Sequence, residues 1–141
     1  MHKKNNLTVS IYSFSYKKGI PEDETHNGGG FVFDCRGILN PGRIEQYKTQ
    51  TGRDKSVIDY LETQTEMPKF IEAIKNVLDI SLNNYIERAF SHLQISFGCT
   101  GGQHRSVYAA EKIARFIEEK YPSVAVKIFH REQEAKNWVN L

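Results

Sequence analysis

At 141 residues the chain is long enough for one domain and too short for two comfortable ones. An apolar share of 39%, a charged share of 26% and a net charge of +2 are ordinary for a globular protein and call for neither nucleic acid nor an anionic membrane. Two cysteines in no C-x-x-C pair, Cys35 and Cys99, exclude a disulfide scaffold and supply no zinc-ligand spacing, so reduced thiols in a cytoplasm are expected, with no metal and no cofactor.

The first six residues are polar and the apolar stretch after them is short, so neither a signal peptide nor a membrane helix is expected. Leu7, Val9 and Ile11 alternate with Thr8, Ser10 and Tyr12, which predicts a strand with two different faces. Residues 22–30 turn acidic and then Gly-rich, a loop read as mobile. Phe31 to Phe33 is a short β-prone run ending in Asp34-Cys-Arg36, and Asn40-Pro41-Gly42 forces a turn. Asp54 is placed to cap a short helix burying Val57, Ile58 and Leu61. Thr65 is placed to cap the next one, with Pro68 tolerated in its first turn. That second helix sets Phe70, Ile71, Ile74, Val77, Leu78, Leu82, Tyr85 and Ile86 on one core-facing stripe. Leu93, Ile95 and Phe97 predict another strand, stopping at Gly98. From Ser106 the period becomes helical, with Val107, Ala110, Ile113, Ala114, Ile117 and Tyr121 on one face until Pro122. Val124, Val126 and Ile128 suggest a last strand, followed by His130-Arg131 and a polar tail carrying Trp138. Cys35 reads as a core residue, and His26 and His92 read as exposed.

This order predicts one α/β domain over 1–141, three-layered, with a largely parallel or mixed sheet of about four strands. Ligands of such sheets gather at the carboxyl ends of the strands. Residues 34–36, 99–105 and 130–131 each follow a strand and are expected to share one crevice, with Lys17-Lys18 facing either it or solvent.

The segment Gly98-Cys-Thr-Gly-Gly-Gln-His-Arg-Ser106 joins a strand to a helix, and its chemistry is that of a phosphate-binding turn. Gly101 and Gly102 permit φ > 0 and close backbone approach. The free amides at a helix start and the helix dipole favour an anion. Arg105 is suited to clamp it, His104 to add a proton-dependent donor, and Thr100 and Ser106 to supply hydroxyls, with Cys99 and Gln103 completing the turn. No lysine follows the glycines, so this is not a Walker loop. Cys99, Gly102, Arg105 and Ser106 spell C-x-x-G-x-x-R-S, which resembles the loop of cysteine-dependent phosphotyrosine-type phosphatases. By that resemblance Cys99 is a thiolate nucleophile and Arg105 holds the phosphoryl oxygens. Gly98 stands where those enzymes carry histidine, and a general acid has to be sought among Asp34, Asp54 and Asp79. A cysteine at a strand end is more often a small buried residue than a nucleophile.

A broader resemblance covers about 8–134. Residues 13–21, Phe31-Val-Phe-Asp-Cys-Arg36 with Asn40-Pro41, Thr51-Gly-Arg-Asp-Lys55, the nine-residue loop and His130-Arg131 come in an order similar to the C-terminal domain of RapZ-type RNase adapter proteins, a family also described as nucleotide-binding. Full-length members carry an N-terminal Walker-type domain, of which these 141 residues hold no trace, so a standalone form is expected. The resemblance implies a phosphofructokinase-subdomain-like fold that senses glucosamine-6-phosphate, a hexosamine phosphate, and in enterobacterial members binds small RNAs. It places the ligand against Asp34, Cys99, Thr100, Gly101, His104 and Arg105, with Asp34 holding sugar hydroxyls or an amine. Gly37-Ile38 and Gly42 depart from the family's usual residues, and the tail lacks its basic cluster, so RNA binding is expected to be weak. Family members act as oligomers. Tyr47, Tyr60, Tyr85, Phe90, Phe116, Tyr121, Phe129 and Trp138 exceed what the inferred stripes need, so a homo-oligomer is expected.

Overall fold

The computed structural model describes residues 7–136; Trp138 lies outside them. Four strands, β1 (Thr8–Ser15), β2 (Gly30–Asp34), β3 (His92–Cys99) and β4 (Ala125–His130), form one sheet in the order β2-β3-β1-β4. Every pairing is parallel. The helices are α1 (Lys55–Gln64), α2 (Met67–Glu87), α3 (Arg105–Lys120) and the short α4 (Arg131–Lys136), with 3-10 turns at Pro41–Arg43 and Glu45–Tyr47.

The register shows why β1 looks amphipathic and yet is buried on both faces. Ile11 stands beside Ile95 and Ile128, and Phe31 beside Ile95 in turn. These residues join Val57 and Leu61 of α1, Ile71, Ile74, Leu78 and Leu82 of α2, and Ile113 and Ile117 of α3 in one continuous core. On the opposite face Tyr12 stacks on Phe129, and the connection from β1 to β2 crosses over, its Pro21 carbonyl accepting a hydrogen bond from Gln94 Nε2. Helices, sheet and crossing segment make the three layers. A strand central to a parallel sheet is covered on both sides, so alternation does not give an exposed face.

The helix starts also differ in detail. Asp54 occupies the N-cap position of α1, but its carboxylate accepts from the Thr51 amide. Glu66, not Thr65, is the N-cap of α2, while the Thr65 hydroxyl accepts from the Met67 amide and donates to the Leu61 carbonyl. Val77 is 43% exposed, off the buried stripe of α2. His92 is not exposed. Its ring bonds Ser10 and Thr25 and lies beside Asp23, with a side chain only 8% accessible. Asp23 in turn organises the loop read as mobile, accepting from the Thr25 hydroxyl and from the amides of Gly29, Thr25 and Asn27, and these bonds, the hydroxyl's first, hold its carboxyl far below the usual range. The surplus rings are largely paired within the chain: Tyr47 with Tyr60, Tyr85 with Phe90, Phe116 with Tyr121. Cys35 is fully buried and His26 exposed, as their contexts suggested.

Candidate functional site

β1 and β3 are neighbours whose connections leave in opposite directions, β1 toward β2 on one side and β3 through α3 to β4 on the other. Such a reversal opens a crevice at the carboxyl ends of the two strands. The loop 99–105 lies there, fixed from both sides: the Cys99 carbonyl accepts from the Tyr16 amide, the Thr100 carbonyl from the Ser15 hydroxyl at 2.6 Å, and the Gly98 carbonyl from the Cys35 amide at 2.7 Å.

Two glycines are dictated by packing. At Gly98 a Cβ would sit 2.5 Å from the Phe14 and Tyr16 rings, so a histidine before Cys99 would have to displace them. Gly102 adopts φ +67°, and its missing side chain leaves room for Glu132 and the Ser15 amide. Gly101 has no positive φ, and nothing lies within 4 Å of the point a Cβ would occupy, so it faces open space.

That space is a cleft of about 180 Å³ bounded by Asn40, Gly42, Cys99, Thr100, Gly101, Gln103, His104 and Arg105. A second recess of about 320 Å³, walled by residues including Arg36, Arg43 and Tyr60, shares Asn40 and Arg105 with it. Larger hollows, of about 400 Å³ between α1 and α3 and about 580 Å³ beside residues 20–32, lack the helix-start amides.

Arg105 is 4% exposed and sits between the two recesses. Its Nη1 donates to the Arg36 and Ile38 carbonyls at 3.1 and 2.7 Å, which orients the guanidinium. Its Nε is buried with no hydrogen-bond partner among the described residues. Buried donors are nearly always paired, so an unspent guanidinium N–H beside a cleft has a ligand's oxygen as its natural complement.

Thr100 is exposed at the cleft, whereas Gln103, His104 and Ser106 turn toward the protein. Gln103 Nε2 donates to the Lys48 and Gln50 carbonyls at 2.8 and 2.7 Å. His104 donates from Nε2 to the Tyr47 carbonyl at 2.8 Å, and burial holds its pKa below the usual histidine value despite that bond. The imidazole is therefore neutral near pH 7. Ser106 is fully buried, and its hydroxyl accepts from the Cys99 thiol at 3.2 Å.

Asp34 ends β2 beside Gly98, and its half-exposed carboxylate is gripped by Arg36 Nε and Nη2 at 2.9 and 2.7 Å. The Arg36 hydrogen bond holds its carboxyl below the usual range, so it is ionised and a poor proton donor. Asp54 serves the Thr51 amide, and Asp79 bonds Tyr121 and Lys120 at the far end of α3. Lys17 and Lys18 are exposed.

His130 and Arg131 do not share this cleft. β1 intervenes, and His130 instead links Ser13 at 2.6 Å to Glu111 at 2.7 Å, while Arg131 lies over the Tyr12 ring. Gly52 is the residue that sequence reasoning passed over: its amide donates to the Gln103 carbonyl, and a Cβ there would meet the His104 carbonyl at 2.2 Å. A glycine in an otherwise polar, irregular stretch was the available signal. Among the described residues no three His, Cys, Asp or Glu side chains converge on a metal position, and no helix is long and apolar enough to cross a membrane.

A family model described as the RapZ C-terminal domain matches residues 7–134. A nucleotide-binding protein of Endomicrobium trichonymphae is 43% identical over 129 residues, which cover 92% of this chain and 42% of that protein. Nucleotide-binding proteins of Xanthomonas euvesicatoria and Glaesserella parasuis are each 40% identical, over 92% and 94% of this chain and 44% and 45% of theirs. The chain thus spans less than half the length of these curated relatives.

Proposed function

The chain belongs to the RapZ C-terminal domain family, and from that premise we propose that it binds a phosphorylated small molecule, a hexosamine phosphate such as glucosamine-6-phosphate, as a sensing module of an RNase-adapter-like regulator. The observation that carries the reading is the buried, unpartnered Nε of Arg105 beside the cleft at the start of α3. The cleft of about 180 Å³ is matched to a phosphoryl group, and the adjoining recess of about 320 Å³ gives the sugar its place, with Asn40, Arg36 and Tyr60 offering polar contacts to hydroxyls. Thr100, Gly101 and Arg105 hold the phosphate; Gln103, His104 and Ser106 hold the loop; Asp34 contributes through its hold on Arg36.

Calorimetric titration with glucosamine-6-phosphate, inorganic phosphate and a nucleoside monophosphate tests this, the last because the relatives carry a nucleotide-binding name. The sugar phosphate is expected to bind tightest, and Arg105→Ala to lose about 1.5–3 kcal/mol, the scale of a charged hydrogen bond. Arg105→Lys keeps the charge and loses the fork, so it is expected to recover only part of the affinity. Undiminished binding by both variants rejects the site.

The phosphatase alternative is supported by the Cys99–Ser106 contact alone, and it is weakened by Gly98 in the place of a histidine and by three aspartates engaged elsewhere. Turnover of an aryl phosphate that disappears in Cys99→Ser would overturn the sensing reading. For RNA we propose weak binding with a shallow salt dependence; a tight complex at physiological salt contradicts it. Self-association remains a proposal, supported by the exposed Val77 and Ile80 of α2, and light scattering at a mass of 16.2 kDa rejects it.

A further inference from the structure

We propose that Cys35 and Cys99 are a disulfide-forming pair, and that peroxide oxidation of this pair reshapes the floor of the phosphate cleft. The pairing of β2 with β3 advances in step, Phe33 beside Phe97 and then Asp34 beside Gly98. It does not stop there, because the Cys35 amide donates to the Gly98 carbonyl at 2.7 Å. The next residues in that register are Cys35 and Cys99. Side chains two apart on a strand share a face, and the Phe33 and Phe97 rings stack at 5.5 Å, so the two thiols project to that same side. Neighbouring strands lie about 4.8 Å apart, inside the Cα separation of about 4.4–6.8 Å that a disulfide accepts.

Both cysteines are free, and 0% and 2% exposed. They are not equivalent. Cys99 lines the cleft and Cys35 does not; burial pushes the Cys35 thiol well up and the neighbouring Cys99 adds to that effect. A small oxidant therefore meets Cys99 first, through the cleft. Hydrogen peroxide converts the Cys99 thiol to a sulfenic acid with release of one water. The Cys35 thiol then attacks that sulfur and a second water leaves, so two thiols and one peroxide give one disulfide and two waters. A second thiol placed to resolve a sulfenic acid is the arrangement of a reversible redox site.

Formation of the bond takes the Cys99 sulfur away from Ser106. The effect on ligand rests on the phosphate reading of the cleft; the bond itself does not.

The test treats the full chain with equimolar hydrogen peroxide and reads intact mass, a non-reducing peptide map and inorganic phosphate affinity. Expected are the loss of two hydrogens, a linked peptide containing Cys35 and Cys99, reversal by dithiothreitol, and about tenfold weaker phosphate binding, equivalent to one charge-assisted hydrogen bond. Cys35→Ser is expected to stop at a Cys99 sulfenic acid that dimedone traps. Accumulation of sulfinic acid in the wild-type chain, or links only between chains, overturns the pair. A disulfide that leaves phosphate affinity unchanged overturns its coupling to the cleft. A reduced chain that binds no phosphate counts against the phosphate reading, while the mass still decides the pair.

Discussion

Substituting Gly52 by alanine places a Cβ 2.2 Å from the His104 carbonyl oxygen and 2.5 Å from the Tyr108 amide nitrogen. Both are backbone atoms at the start of α3 and neither can rotate aside, so the 50–54 segment and the helix must part by about 1 Å, an overpacking that costs about 1–3 kcal/mol. The separation also strains the Gly52 to Gln103 hydrogen bond of 3.0 Å and the two bonds from Gln103 to Lys48 and Gln50, each worth about 0.5–1.5 kcal/mol net. Gly52 has no positive φ, so alanine meets no Ramachandran penalty and regains about 0.4–1 kcal/mol by stiffening the unfolded chain. The balance is a destabilisation of about 2–3 kcal/mol. Urea unfolding followed by circular dichroism reads this as a lower midpoint at constant slope, and phosphate titration reads the displaced loop as lost affinity. Gly101→Ala is the counterpart: nothing lies within 4 Å of its Cβ, so stability is expected within about 0.5 kcal/mol of wild type while the methyl group enters the cleft and phosphate binding drops. Equal stability of Gly52→Ala and wild type, or greater damage from Gly101→Ala, would refute the reasoning.

Burial keeps the His104 pKa below its unfolded value, so protonation favours the unfolded chain: its contribution is complete above about pH 6.5 and is lost as pH falls through that value toward the folded pKa. His104→Gln should flatten the stability profile between about pH 7 and 5, measured by thermal unfolding. The hydrogen bond from His130 holds the Glu111 carboxyl below its usual range, so that stabilisation is present above about pH 4.3 and lost below it, and Glu111→Gln should remove this acid limb. Tyr121, which burial pushes up to about 12, donates to Asp79 at 2.6 Å; Tyr121→Phe should cost about 1 kcal/mol in urea, because Lys120 still serves the carboxylate.

Local signals carried the architecture. Period-2 runs at 93–97 and 124–128 and helical periods at 70–86 and 107–121 correspond to elements the fold contains, and their rhythm implied a largely parallel or mixed sheet, which the fold makes parallel throughout. What stayed hidden is non-local. Nothing in the neighbourhood of His92 announces Ser10 and Thr25, and nothing near Gly52 announces the start of α3. At the cleft, residue types pointed to the loop, but types do not reveal direction: Gln103 and His104 look like ligand donors and turn inward to carbonyls of 47–50. The separation of His130 from the cleft depends on strand order, which no single strand encodes.

The placement of β1 at the centre of the sheet has a bearing on biogenesis. Thr8 pairs with His92 on one side and Ala125 on the other, so the first strand of this domain to be synthesised has no neighbour until most of the domain has followed it. Contacts this distant along the chain slow folding, and a waiting apolar strand with two open edges is a template for wrong partners. The polar insertions Thr8, Ser10 and Ser13 temper that hazard, since they keep the nascent segment from being a continuous apolar run. The domain thus requires near-complete synthesis before its sheet can close, and the last strand that closes it, β4, is also the one that brings His130 to Ser13 and Glu111.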